Sequence, residues 1–92
     1  MANERWPLTE DAINATISDV QRKVATRLNE KGQGAYIGPH EAYGIIAEEV
    51  DELLDSIRDG SDSAVHGELM DLAVAAVIGM ASMRCWRGAC GG

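Results

Sequence analysis

Phenylalanine is absent from the 92 residues, and two Trp and two Tyr supply all the aromatic surface. A ring-rich core is therefore excluded, and the interior must be aliphatic, drawn from Ile, Val, Leu, Ala and Met. Cysteine is scarce as well. Cys85 and Cys90 make no disulfide framework, and no second Cys or His pair completes a zinc site. Two free thiols in a reducing cytoplasm are the expectation. Positive charge is short: eight Lys and Arg stand against fifteen Asp and Glu, for a formal net charge of -7. That excludes unaided binding to a nucleic acid polymer or an anionic membrane. A phosphate held through a bound cation stays open. The longest uncharged stretch, Leu72 to Met83, is too short to span a bilayer and reads as a buried helix. The N-terminal MANERWPLTEDA has no basic segment leading into an apolar run, so it is not a signal peptide. No membrane and a cytoplasmic location are expected.

What is present suits one small folded domain. Hydrophobic residues make up 46% and charged residues 25%, a balance that folds rather than stays disordered. Three helices are expected, at about 9–31, 39–58 and 64–84, followed by a flexible Gly-rich tail at 88–92. Thr9 can cap the first, with Glu10 and Asp11 placed to favour the helix dipole. Ile13, Ile17, Val20, Val24 and Leu28 recur at helical spacing and give it an apolar stripe. Gly32 and Gly34 end it. The glycine-containing loop that follows carries no GxxxxGK[ST] and is not a phosphate loop.

Pro39 suits the first position of the second helix. Tyr43, Ile46, Val50, Leu53, Leu54 and Ile57 form the stripe expected to be buried there. Asp59-Gly60 is a stop, and Ser61, Asp62 or Ser63 can cap the third helix. The middle of that helix, LAVAAVIGMASM, is apolar on every side and so should be buried on every side. Three helices from 92 residues barely cover it alone. A helix from another subunit is expected to complete the bundle.

The chemistry lies in EEVDELLDSIRDGSDSAVHGELMD, residues 48 to 71. Five carboxylates open it: Glu48, Glu49, Asp51, Glu52 and Asp55. Glu49 and Glu52 are three apart, as are Glu68 and Asp71, so each pair shares a helix face. Glu52 and Glu68 each lie eight residues from Gly60, and Glu49 and Asp71 eleven. On an antiparallel hairpin turning at Gly60, the four stand at matching heights. At 100 degrees per residue, Glu49 and Glu52 flank the apolar stripe, while Asp51 and Asp55 face solvent.

A run such as EEVDELLD is by itself an ordinary solvated helix face. Glu68 and Asp71 argue otherwise, because they adjoin a wholly apolar run. Buried carboxylates need cations or raised pKa values. Arg58 and His66 are too few cations for four acids, and a hard divalent ion, Mg2+ or Mn2+, resolves the deficit. Glu48 lies near enough to Glu52 to serve as a further ligand or as a group behind the ligands. His40 and His66 read as capping or surface residues. Neither follows a Glu by three, so the Glu-x-x-His pairs of di-iron bundles are absent.

EExxE at Glu48-Glu49-Val50-Asp51-Glu52, a spacer from Leu53 to Gly67, and ExxD at Glu68-Leu69-Met70-Asp71 together resemble the MazG-like, all-α nucleoside triphosphate pyrophosphohydrolases. The likeness extends over about residues 39 to 83. It implies Mg2+ held by carboxylates at Glu49, Glu52, Glu68 and Asp71. It implies hydrolysis of a nucleoside triphosphate to the monophosphate and pyrophosphate, by a homo-oligomer that is a dimer or a tetramer. Glu48 is then the candidate for positioning or deprotonating water. Lys23, Lys31, Arg58 and Arg84 are candidate phosphate contacts. Many members carry a fourth helix that this chain lacks. Trp6 and Trp86 could stack on a base, although a Trp in so small a domain is more often core or interface. The rival reading is a non-catalytic acidic helical module that dimerises through the third helix.

Overall fold

A computed structural model describes residues 4–88. It is all-helical, with α1 at Glu10–Lys31, α2 at Pro39–Asp59 and α3 at Asp62–Trp86. Each start has a local cause. The Thr9 side chain accepts from the Ala12 N–H at 3.0 Å, and the Ser61 hydroxyl accepts from Ala64 N–H at 3.2 Å. At α2 the cap is Gly38 with Pro39 behind it, and Glu41 reaches back to accept from the Ile37 N–H at 2.8 Å. Gly60 ends α2 in the left-handed conformation at φ 74°, and its N–H closes on Ser56 and Ile57 carbonyls. The tail expected at 88–92 lies, from residue 89 onward, outside the described residues.

α3 is the shared partner. Among the described residues α2 packs closely on it, α1 packs on it less extensively, and the backbones of α1 and α2 do not approach each other closely. The buried apolar set is accordingly small: Val74, Ala75 and Ile78, all on α3. The stripes expected to be buried are covered only in part, with Val20, Val24, Leu28, Ile46 and Leu53 half-buried. Ile13 and Ile17 are exposed on α1; Tyr43, Val50, Leu54 and Ile57 on α2; Leu69, Val77 and Met80 on α3. The physical reason is geometric: two neighbours cover two sides of a helix that is apolar all round. α3 is also long and apolar enough to cross a membrane by length and composition, a test that the core helix of a soluble protein also passes.

The C-terminal end of the α2–α3 contact is tightly fastened. α3 passes close to α2 and the preceding loop at Gly79: a Cβ built there would make ordinary contact, 3.8 Å from Ala42 Cβ and 3.9 Å from the Tyr36 ring. The Ser82 hydroxyl accepts from Tyr36 N–H at 2.9 Å and donates to Ile78 carbonyl at 2.7 Å. Trp86 Nε1 donates to Tyr36 carbonyl at 2.7 Å. The loop before α2 is thus held on α3 at both backbone polar groups of one residue. Trp86 takes a structural role here, whereas Trp6 is 96% exposed. Cys85 is disulfide-bonded, so the expectation of free thiols fails there; Cys90 lies outside the described residues.

Candidate metal centre

The helical spacing places Glu49 on the α3-facing side of α2, and Glu68 and Asp71 one turn apart on α3. One carboxylate oxygen from each lies within 4.8 Å of the others. All three residues are half-buried. Oε2 of Glu49 and Oε2 of Glu68 are shielded from solvent and have no hydrogen-bond partner. Such oxygens carry an uncompensated desolvation cost.

The electrostatics follow from this crowding. Burial pushes the Glu49 carboxyl above its usual range, and Glu52, Asp71 and Glu68 add to the rise, while Arg27 opposes it. Burial also raises Glu68, and the neighbouring carboxyls of Glu52 and Asp71 add to the rise. The Tyr36 hydroxyl is raised by burial and by Glu41 and Glu49, with Arg27 pulling the other way.

Arg27 was not a sequence candidate, yet it is the cation at the cluster. Its Nη2 lies 3.3 Å from Asp71 Oδ1, and both side chains are largely shielded, at 22% and 31% exposure. The other ion pair among the described residues, Arg22 with Asp19, lies on the surface of α1. A signal for Arg27 did exist. It falls three residues after Val24 and seven after Val20, on the apolar face of its helix. A cation on that stripe needs a buried acid to meet.

The remaining candidates divide. Glu52 is exposed and reaches the cluster through Glu68. Glu48 is exposed and outside the three-residue group. Lys31 lines a cavity of about 280 Å3 together with Arg27 and Tyr36. Lys23, Arg58 and Arg84 are exposed and form no ion pair among the described residues.

The donor set fits a hard divalent ion: carboxylate oxygens only, two of them without partners. Neighbouring oxygens on one Mg2+ stand about 3.0 Å apart and opposite ones about 4.2 Å, so the three carboxylates would have to close in to share one ion. Comparison of the chain with protein-family models, with curated proteins and with solved structures gives no match.

Proposed function

We propose that the chain is a divalent-metal-dependent nucleoside triphosphate pyrophosphohydrolase, releasing pyrophosphate and a monophosphate, and serving to clear non-standard or surplus nucleotides. One observation carries the reading. Glu49, Glu68 and Asp71, three of the four acids that the EExxE and ExxD resemblance implies, bring oxygens within 4.8 Å, and two of these acids keep an oxygen without a partner. The pairings support α2 and α3 as an antiparallel hairpin. Ala42 meets Gly79, Glu49 meets Asp71, and Glu52 meets Glu68, so one number rises as the other falls.

Glu49, Glu68 and Asp71 would hold Mg2+, or Mn2+ in its place, with Glu52 at the rim. A bound divalent ion supplies charge neutralisation for the phosphates and lowers the pKa of an attacking water. Glu52, exposed and close enough to Glu49 and Glu68 to raise both carboxyls, is better placed than Glu48 to accept the proton of that water. The protein mainly positions the groups and supplies charge.

The working form is a homo-oligomer, dimer or tetramer. Exposed apolar residues on all three helices favour it. So does the shape: the radius of gyration is 15.4 Å, against about 12 Å for a compact chain of this length. In a cytoplasmic oligomer the exposed apolar surface of α3 would be covered by a helix of another copy. The same exposure also favours the second reading, a non-catalytic self-associating module. Pyrophosphate release separates the two. Purified protein incubated with a panel of ribo- and deoxyribonucleoside triphosphates should release pyrophosphate with Mg2+ and none with EDTA. No release from any triphosphate at high protein concentration would leave the interaction module.

A further inference from the structure

A largely shielded guanidinium touching one acid of a three-acid cluster is an unusual use of an arginine. Glu49, Glu68 and Asp71 present three converging carboxyls with Glu52 at the rim, and Arg27 is the one cation paired with any of them among the described residues. Its contact is single and long, 3.3 Å to one oxygen of Asp71, rather than the paired fork that arginine makes with a committed carboxylate partner. The same side chain lines the neighbouring cavity of about 280 Å3, beneath the loop that Ser82 and Trp86 fasten to α3. Lys31, one helical turn further along α1, lines that cavity too, and so does Tyr36. Arg27 thus borders both the acidic centre and this cavity, in which it and Lys31 are the cations of an otherwise largely apolar lining.

We propose that Arg27 is an exchangeable cation. It neutralises Asp71 while no divalent ion is bound; once Glu49, Glu68 and Asp71 hold one, it turns into the cavity and, with Lys31, binds a phosphate group of the substrate. This rests on the metal-dependent reading above for the identity of the substrate, and it adds the residues that meet the phosphate.

The physics is a competition. Two cations that neutralise the same carboxylate weaken each other's binding, and the coupling is reciprocal. The divalent ion carries the larger charge and meets three carboxylates at once, so it displaces the guanidinium rather than the reverse. A displaced arginine keeps its charge, and the nearest space that it already lines holds a second cation, Lys31. Two like charges side by side are unfavourable until an anion sits between them. A phosphate supplies that anion, and guanidinium is well matched to it. The arrangement would make phosphate binding conditional on the metal.

The test uses binding rather than turnover. Mg2+ is titrated calorimetrically into the full chain and into R27A and R27K, and inorganic tripolyphosphate is then titrated with Mg2+ saturating. R27A is expected to bind Mg2+ several-fold more tightly than the wild type, because its competitor is gone. It should bind tripolyphosphate roughly 10- to 100-fold more weakly, the scale of a hydrogen bond to a charged group. R27K keeps the charge and the fold, so its Mg2+ affinity should stay near that of the wild type, while its tripolyphosphate affinity falls. K31A should weaken tripolyphosphate alone.

If R27A weakens Mg2+ binding, Arg27 merely orients Asp71 and the proposal is overturned. Unchanged tripolyphosphate affinity in both R27A and R27K overturns it as well, as does a wild type that binds no tripolyphosphate with Mg2+. Should R27A not fold, R27K alone decides through the split between its two affinities. The hydrolytic reading fails separately. A chain that binds Mg2+ and tripolyphosphate in this pattern, yet releases no pyrophosphate from any nucleotide, loses the activity and keeps the exchange.

Discussion

The α2–α3 contact has two ends, and they are built on opposite terms. Near Ala42, Gly79 and Ser82, small residues bring the helices together, and the described polar groups are paired: Tyr36 N–H and carbonyl, the Ser82 hydroxyl and the Trp86 ring nitrogen. Near Glu49, Glu68 and Asp71, like charges converge and two shielded oxygens have no partner. The first end is finished without any ligand. The second carries a cost within the bare chain, which is the arrangement expected where a cation is to arrive.

The strongest way to break the contrast is to remove the acid that bridges it. Glu49→Gln should reduce Mg2+-dependent pyrophosphate release by at least the roughly 10- to 100-fold that even groups behind a metal's ligands cost. The same change should leave thermal stability in EDTA equal to the wild type or higher, because it removes a charge held in an unfavourable place. Assays of release and melting on one preparation check both. A variant that loses activity and stability together would put Glu49 in an ordinary structural role.

The fastened end predicts the reverse pattern. Ser82→Ala strips the hydroxyl that accepts from Tyr36 N–H, and Ser82 is only 2% exposed. The orphaned donor should cost about 1–3 kcal/mol, read from urea denaturation, without altering Mg2+ affinity. Gly79→Ala should move stability the other way. The added methyl would lie at ordinary contact distance from Ala42 and Tyr36, and alanine is the better helix former by up to about 1 kcal/mol. A melting temperature lower than the wild type would mean that the helices are already at closest approach.

The contrast was half legible from sequence. Three helices with their caps could be read because the signals are local: Thr9, Pro39, Gly60 and Ser61 act on their own backbone. That Glu49 lies near Asp71 could be read because both stand eleven residues from Gly60, whereas Glu52, expected in the same group, lies outside the three acids that converge. Arg27 could not be placed, because its role depends on α1 lying beside α3 at one particular turn, and no short-range pattern fixes that. The covered faces were misjudged for a related reason. Periodicity says which side of a helix avoids water, as at Ile17 and Tyr43, but not whether the same chain supplies the cover.

The smallest effect sharpens the comparison through pH. Glu49 and Glu68 have raised pKa values in the folded chain, relative to an ordinary value of 4.5. Glu49 faces Glu52 on its own helix, Glu68 and Asp71 on α3, and Arg27 on α1. In the window from about 4.5 up to the raised values the folded state therefore binds more protons than the unfolded state. Stability must fall as pH rises through that window and level off above it. Mg2+ acts with the opposite sign, since its ligands bind it deprotonated and its stabilisation grows with pH. In EDTA the wild type should lose more melting temperature between pH 5 and pH 7.5 than Glu68→Gln does, and saturating Mg2+ should shrink or reverse the loss. Equal slopes for the two proteins in EDTA would show that the acidic end carries no stored repulsion, and the asymmetry between the two ends would then be one of shape alone.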